Sequence, residues 1–497
     1  MTPLAAPAGA TLPGMKSIAI RGGLAVGLSQ AVQIAVRLVS VVALSRLLQP
    51  GDFGLMAALA PVISFTALVQ GLGLQQAVVR HWDLPAEQLN RIFWLMLAVS
   101  LACASLVAAS APAVAAFYRD ERMLRLTQVA AVPLVLASLA SVPSALLSRG
   151  LRFGTVASID AAATLAGLLA ALPAACLGAG YWSILAATFA GGTVNLLASW
   201  AASGWVPAPP SLRLPDRALL DFGANLSGFS VVNFFSRNLD NILIGRVWGP
   251  IALGFYDRAY TLMLFPLQTI MAPIGGIMVP LLSRIATDKP QLRSVYLRST
   301  GLIVLLIVPG MAALASASDD VIGVLFGPHW APAAPIFALL GWAGLVQPIG
   351  SSTGWLYVSQ GRTREMFYWG LFGAGTTVAS FIIGLPWGAV GVAAAYTVSE
   401  YLVRLPAMYW VIAKVGPVTA ADLAMLQFPL LAAAAVTKLI HDLLLRPGFG
   451  LSGMAMIACT VLLSYALAAV SQVLFAAGRT RLAEALDLSA RAARLRP

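Results

Sequence analysis

The apolar residues of this chain come in long runs. From Ser17 to about residue 477, stretches of roughly 20 residues with few charges follow one another, broken by short polar segments. A run of that length is what an α-helix needs to cross a hydrocarbon core of ~30 Å. Counting the runs predicts helices near 18–45, 55–79, 92–117, 124–147, 155–177 and 181–205, then a proline-rich break from Val206 to Pro215. Six more follow near 219–248, 252–283, 299–318, 332–358, 366–386 and 388–412, and a last pair near 420–445 and 452–477. The predicted fold class is an all-α integral membrane protein of about 14 transmembrane helices.

Composition agrees. Hydrophobic residues make up 59% of the 497 and charged residues only 10%, against roughly 25% charged in a soluble domain. The net charge of +12 could suggest nucleic acid, but the arginines are scattered through short connections between apolar runs. That pattern follows the positive-inside rule and excludes a basic groove for nucleic acid. With both termini cytoplasmic, cytoplasmic segments hold 20 of the 31 basic residues and the opposite loops hold seven. The segment before Lys16 is small and uncharged, and the hydrophobic stretch after it is too long for a cleavable signal peptide, so it is expected to stay as the first helix. The tail from Arg479 to Arg496 sets Leu482, Leu486 and Ala490 among arginines, as a basic helix on an anionic leaflet would.

The chain also repeats itself. Arg46, Pro50 and Gly54 recur 200 positions on as Arg246, Pro250 and Gly254, and Gly23, Val32 and Arg37 recur as Gly223, Val232 and Arg237. Helices 1–6 and 7–12 therefore read as two six-helix lobes in pseudo-twofold repeat, plus two C-terminal helices. An even number of helices per copy runs the relating axis along the membrane normal, an architecture of alternating-access transporters. The expected divisions are a cytoplasmic tail at 1–15, an N-lobe at 16–210, a C-lobe at 211–415, helices 13–14 at 416–478 and a basic cytoplasmic tail at 479–497. Pro61, Pro133, Pro266, Pro273 and Pro309 fall inside spans and supply bend points.

Polar residues inside the spans point to a site. Gln30, Gln33, Arg37 and Ser40 lie at steps of three, four and three, on one face of helix 1. Helix 7 repeats the stripe as Ser230, Asn233, Arg237 and Asp240. A charge deep in hydrocarbon costs roughly 3 kcal/mol even on lenient scales, so both stripes are expected to face the interior between the lobes. Two guanidinium forks match phosphate oxygens, which makes these residues candidates for binding an anionic, phosphate-bearing substrate. The structural alternative sets each arginine on neighbouring carbonyls, or Arg237 on Asp240. Glu400 and Arg404 stand at i, i+4 in helix 12, an internal pair or an ion-coupling group. Asp160, near the start of helix 5, is either a proton relay or a capping residue.

Other motifs fall away. Gly9 and Gly14 before Met15-Lys16-Ser17 nearly spell a phosphate loop, but Met15 breaks the spacing and no strand precedes it. Gly448, Gly450 and Gly453 fit GxGxxG between two membrane helices and read as a flexible loop. Cys103, Cys176 and Cys459 lie within apolar runs as small core residues, and His81, His329 and His441 are expected in three separate loops, so neither a metal site nor a cofactor is implied. Gly370, Gly373 and Gly375 read as a surface for packing neighbouring helices within the chain.

Four stretches together resemble a known family. They are Arg46-Leu-Leu-Gln-Pro-Gly-Asp-Phe-Gly-Leu-Met56, Arg237-Asn-Leu-Asp-Asn-Ile-Leu-Ile-Gly-Arg246, Tyr256-Asp-Arg-Ala-Tyr260 and Leu325-Phe-Gly-Pro-His-Trp-Ala-Pro-Ala-Ala-Pro335. The chain is similar through most of its length to the polysaccharide transporter branch of the multidrug/oligosaccharidyl-lipid/polysaccharide exporter superfamily, near the exopolysaccharide and O-antigen flippases. The resemblance implies a protein of the bacterial inner membrane that moves an undecaprenyl-pyrophosphate-linked oligosaccharide from the cytoplasmic to the periplasmic leaflet. Its partners would be that polyprenyl-pyrophosphate-linked oligosaccharide, membrane lipids and other polysaccharide export machinery. The family's cationic cavity would fall on Arg37 and Arg237. A drug/cation antiporter of the same superfamily would carry acidic residues in its first helices, and helix 1 has none. A lipid II flippase shares the substrate chemistry. A polymerase or ligase would need a large extracytoplasmic loop or a carboxylate cluster, whereas the longest loops here run to about 15 residues and hold no Asp-x-Asp.

Overall fold

The computed structural model describes residues 12–71, 78, 84–210, 217–448, 453–474 and 478–479. Side chains are not described at 12–26, 28, 69, 71, 217–233, 235–237, 272, 415 and 448. The N-terminal tail before residue 12, His81, the GxGxxG positions 449–452 and the basic tail beyond 479 lie outside the described residues. So do the side chains of Ser230, Asn233 and Arg237.

Among the described residues no strand occurs. The apolar runs are helices α1 (Leu12–Leu47), α2 (Pro50–Gly71), α3 (Ala86–Tyr118), α4 (Arg122–Arg149), α5 (Phe153–Cys176) and α6 (Trp182–Ser203). The continuous stretch Arg217–Arg284 is two helices, α7 (217–248) and α8 (250–284), which meet at Gly249 with φ 81°. Then come α9 (Lys289–Ser316), α10 (Ala333–Ser359), α11 (Thr363–Gly384), α12 (388–415), α13 (Ala420–Leu445) and α14 (Met454–Val473). Among the described residues, eleven stretches are long and apolar enough to cross a membrane. One of them, Thr363–Lys414, is a helical hairpin whose arms are α11 and α12, and α7 and α8 bring the number of helices to the expected fourteen.

The chain divides into two compact units, residues 1–251 and 252–497, so the line between them falls past the proline-rich break. In the first unit α5 packs on α1 and α6, and α4 lies between α3 and α6. Small residues allow this approach: a Cβ on Gly167 would stand 3.0 Å from the Ala187 carbonyl, and one on Gly191 equally close to that of Ala163. The segment after α6 folds back on α3, where Trp94 Nε1 donates to the Ala208 carbonyl at 2.9 Å and Asn90 to that of Pro209 at 3.1 Å. Helix α7 belongs to the same unit, with Phe234 5.2 Å from Phe65 of α2.

In the second unit α9 and α10 are central, and Tyr296, Phe326, Trp330 and Phe337 are fully buried around them. Pro309 lies inside α9, which continues through it, and α14 packs against that stretch: Ser464 donates to the Pro309 carbonyl at 2.8 Å and Tyr465 to that of Leu306 at 2.7 Å. Pro273 marks a break in α8, with 43° between the segments on either side of it. Glycine packing departs from expectation. A Cβ on Gly370, Gly373 or Gly375 would meet nothing within 4 Å, whereas Gly384 and Gly391 touch so closely that a Cβ on either would clash with the other's backbone. The α11–α12 hairpin closes on that pair because its tight turn forces the two arms together there, and the upper glycine row is left facing open space.

Candidate functional site

The α1 stripe divides in use. Gln33 is buried against α5: its amide donates to Ser29 Oγ at 3.3 Å, and Ser29 donates to the Ala157 carbonyl. Gln30 and Arg37 stay exposed, and Ser40 returns its hydroxyl to the Val36 carbonyl at 2.7 Å. Arg37 comes near enough to Asp160 of α5 for its charge to act on that carboxylate. Asn195 of α6 donates to the same carboxylate at 3.3 Å. Three helices thus place a guanidinium, a carboxylate and an amide together within a span. The result is an accessible cation whose fixed partner still has hydrogen-bonding capacity to spare. On α7, Asp240 is 2% exposed and accepts from the Asn241 N–H at 2.9 Å.

The second unit holds a charged pair of its own. Helix α12 widens to a π turn over Glu400–Arg404, the kind of local bulge found where a helix serves function. Arg404 Nη1 lies 2.8 Å from Glu400 Oε1 and donates to Thr377 Oγ1 of α11 at 2.9 Å. The guanidinium sits 4.5 Å over the Tyr396 ring, and the Tyr396 hydroxyl bonds the Glu400 carboxylate while accepting from Gln347 of α10 at 3.1 Å. Arg404 Nε and Nη2 have no acceptor. A buried donor left unpaired costs about 1–3 kcal/mol, more when charged, so the pair is incompletely satisfied. It borders a cavity of about 240 Å³ that Gln347, Ser351, Trp369, Thr377, Glu400 and Arg404 line.

The stretch Pro50–Gly54, quoted above for its resemblance, does structural work. Asp52 Oδ2 accepts from the Gln49 N–H at 3.0 Å and Oδ1 from the Tyr181 N–H at 3.1 Å, tying the α1–α2 turn to the α5–α6 turn. Gly54 lies against the Pro250 carbonyl, where a Cβ would stand 1.6 Å from the oxygen. Sequence reading named neither contact, because the partners are 129 and 196 positions away; the recurrence of Pro50 and Gly54 at Pro250 and Gly254 was the available signal.

Two expectations are corrected. His441 lies not in a loop but in a second π turn of α13, buried, with Nδ1 3.0 Å from Thr460 Oγ1; the apolar run simply continues past it. Of the cysteines, Cys176 is exposed and Cys103 and Cys459 half-buried, since apolar residues of a membrane helix need not face its core.

The sequence profile described as "Polysaccharide biosynthesis protein" matches residues 43–335, more than half of the chain and all four of the stretches quoted above. The chain belongs to the polysaccharide biosynthesis protein family. Among its relatives in that family is the succinoglycan biosynthesis transport protein ExoT of Rhizobium meliloti, 26% identical over 386 residues that cover 78% of each chain. The lipopolysaccharide biosynthesis protein WzxC of Escherichia coli is 22% identical over 389 residues, 77% of each chain. The teichuronic acid biosynthesis protein TuaB of Bacillus subtilis is 25% identical over 61% of this chain and 64% of its own. In fold, this family member is similar to the lipid II flippase MurJ in an inward closed conformation, with TM-score 0.70 at 12% identity over 92% of this chain and 98% of MurJ. It is also similar to an inward-facing multidrug resistance MATE transporter, with TM-score 0.61 at 15% identity over 77% and 94%. The expected polysaccharide family and the all-helical membrane fold are borne out.

Proposed function

We propose that this protein is a flippase that carries polyprenyl-pyrophosphate-linked oligosaccharide from the cytoplasmic to the periplasmic leaflet of the bacterial inner membrane by alternating access, with both termini cytoplasmic and no covalent chemistry of its own. Family membership, joined to 78% mutual coverage with a relative named a transport protein, carries the reading. The fold shared with a lipid II flippase supports it. The substrate has a diphosphate, a hydroxyl-rich glycan and a lipid tail. Arg37, exposed beside Asp160, and its repeat counterpart Arg237 are the groups suited to the diphosphate, because guanidinium donates bidentately to phosphate oxygens. Gln30, Ser230 and Asn233 offer amides and a hydroxyl to sugar oxygens, whereas Gln33 and Asp240, expected beside them, are buried and drop out of the binding set. Asp160 holds Arg37 while no phosphate is bound and yields it when one arrives.

Deleting the gene in its own bacterium tests the reading. The expected result is loss of surface polysaccharide with the lipid-linked intermediate stranded on the cytoplasmic leaflet, restored by the wild-type chain but not by an expression-matched Arg37→Ala, Arg237→Ala variant. Unchanged polysaccharide with altered tolerance to cationic drugs would refute it in favour of an antiporter.

A further inference from the structure

The cavity beside the π turn of α12 has a chemistry that the diphosphate reading leaves unused. Its polar wall pairs a hydrogen-bond acceptor, the Glu400 carboxylate, with a donor, the Arg404 guanidinium, 2.8 Å apart. A phosphate would meet that carboxylate and be repelled. A lipid acyl chain would leave both charged groups without new partners. A sugar hydroxyl is donor and acceptor at once, so a pyranose can donate to the one member and accept from the other. Arg404 keeps Nε and Nη2, both buried, without an acceptor. Trp369 of α11 also lines the cavity, as does Gly373 one turn on, where a Cβ would meet nothing within 4 Å. Gln347 and Ser351 add an amide and a hydroxyl from α10. At about 240 Å³ the cavity falls below the roughly 300–1,000 Å³ of drug-sized ligand sites. It has room for one ring and not for an oligosaccharide.

We infer that this cavity is a subsite for a single neutral pyranose ring of the transported glycan, with Trp369 as its stacking face and the Glu400–Arg404 pair as its polar anchor. The inference rests on the flippase reading for the identity of the ligand, and it separates glycan recognition in the second unit from diphosphate binding at Arg37. The π turn spans both members of the pair, Glu400 and Arg404.

The test uses the full-length chain in amphipol, free of sugar-headed detergent. Ser351, which is exposed at the cavity, is changed to cysteine in a background carrying Cys103→Ala, Cys176→Ala and Cys459→Ala, and its maleimide labelling rate is measured with glucose, galactose or inorganic phosphate present. A neutral pyranose is expected to slow labelling. Trp369→Ala should raise the half-protecting concentration about two- to tenfold, the worth of an aromatic stacking contact, while Trp369→Phe should restore protection and show that the fold is intact. Labelling that no pyranose slows, preferential protection by phosphate, or an unchanged half-protecting concentration in Trp369→Ala would each overturn the subsite. Restoration of surface polysaccharide by the wild-type chain in the deletion strain is scored separately. Restoration without pyranose protection overturns only the subsite; protection without restoration upholds a sugar site and overturns the flippase reading.

Discussion

Replacing Gly54 with alanine puts a methyl group where the Pro250 carbonyl oxygen already is. The new Cβ would lie 1.6 Å from that oxygen and 2.5 Å from its carbon, whereas real Cβ contacts essentially never fall under 3.0 Å, so α2 and the turn after α7 must part by 1.4 Å or more. The obstacle is backbone, which cannot rotate aside as a side chain can. Overpacking of a closed contact costs about 1–3 kcal/mol, and the upper end applies because both partners are held: Asp52 ties the start of α2 to Tyr181, and the Phe65–Phe234 contact ties α2 to α7. For a unit of this size, about 3 kcal/mol corresponds to a fall in melting temperature of roughly 6–12 °C. The assay is thermal unfolding of purified protein at a fixed heating rate, since membrane proteins often unfold irreversibly. Gly27→Ala is the control: Gly27 is helical and exposed, and a Cβ there meets nothing within 4 Å, so that variant should be unchanged or gain up to about 1 kcal/mol. A Gly54→Ala melting temperature equal to that of wild type would refute the reasoning.

Two further predictions concern loops. Asp52→Asn keeps one acceptor oxygen but turns an amide towards a backbone N–H; it should cost about 1.5–3 kcal/mol, lower the melting temperature, and speed proteolysis in the 177–181 turn, and wild-type behaviour on both measures would dismiss the tie. Arg122 grips Asp120 with Nε at 3.0 Å and Nη2 at 2.7 Å, and this bond holds the Asp120 carboxyl below its ordinary 3.8. A depressed folded pKa stabilises above the unfolded value and loses its contribution as pH falls below 3.8 through the folded pKa. Because Arg122 is half exposed, the contribution is at most about 1 kcal/mol: Asp120→Asn should melt slightly lower than wild type at neutral pH, and the gap should close in strong acid. A gap that widens in acid would reverse the assignment.

The fold was legible because each helix is written locally: about 20 apolar residues with polar punctuation suffice to place it, and even the joint between α7 and α8 was marked by the Gly249-Pro250 pair. Side-chain partnerships were not legible to the same degree. That Arg37 and Asp160 are neighbours depends on α1 packing on α5, which composition does not reveal; along one stripe Gln33 is buried and Arg37 four residues on stays exposed. The spacing of Glu400 and Arg404 revealed the pair, but a π turn changes hydrogen-bond register without changing composition, so neither it nor the Trp369 wall could be read ahead. The glycines misled for a related reason, since small residues permit close approach without naming the partner, and the hairpin at Gly384 and Gly391 took what Gly370–Gly375 seemed to offer.

The hydrogen bonds from Ser464 and Tyr465 to the Pro309 and Leu306 carbonyls have a consequence for how such a chain can change over generations. α13 and α14 come last in the chain, yet both pack on α9, and α14 sets two hydroxyls on its backbone. Once a central helix is covered in this way, its outer face is free to drift towards residues that suit only that cover, and the last two helices become obligatory. A chain ended after α12 would therefore not be a smaller working protein; it would lay bare a face of α9 that the last two helices now cover.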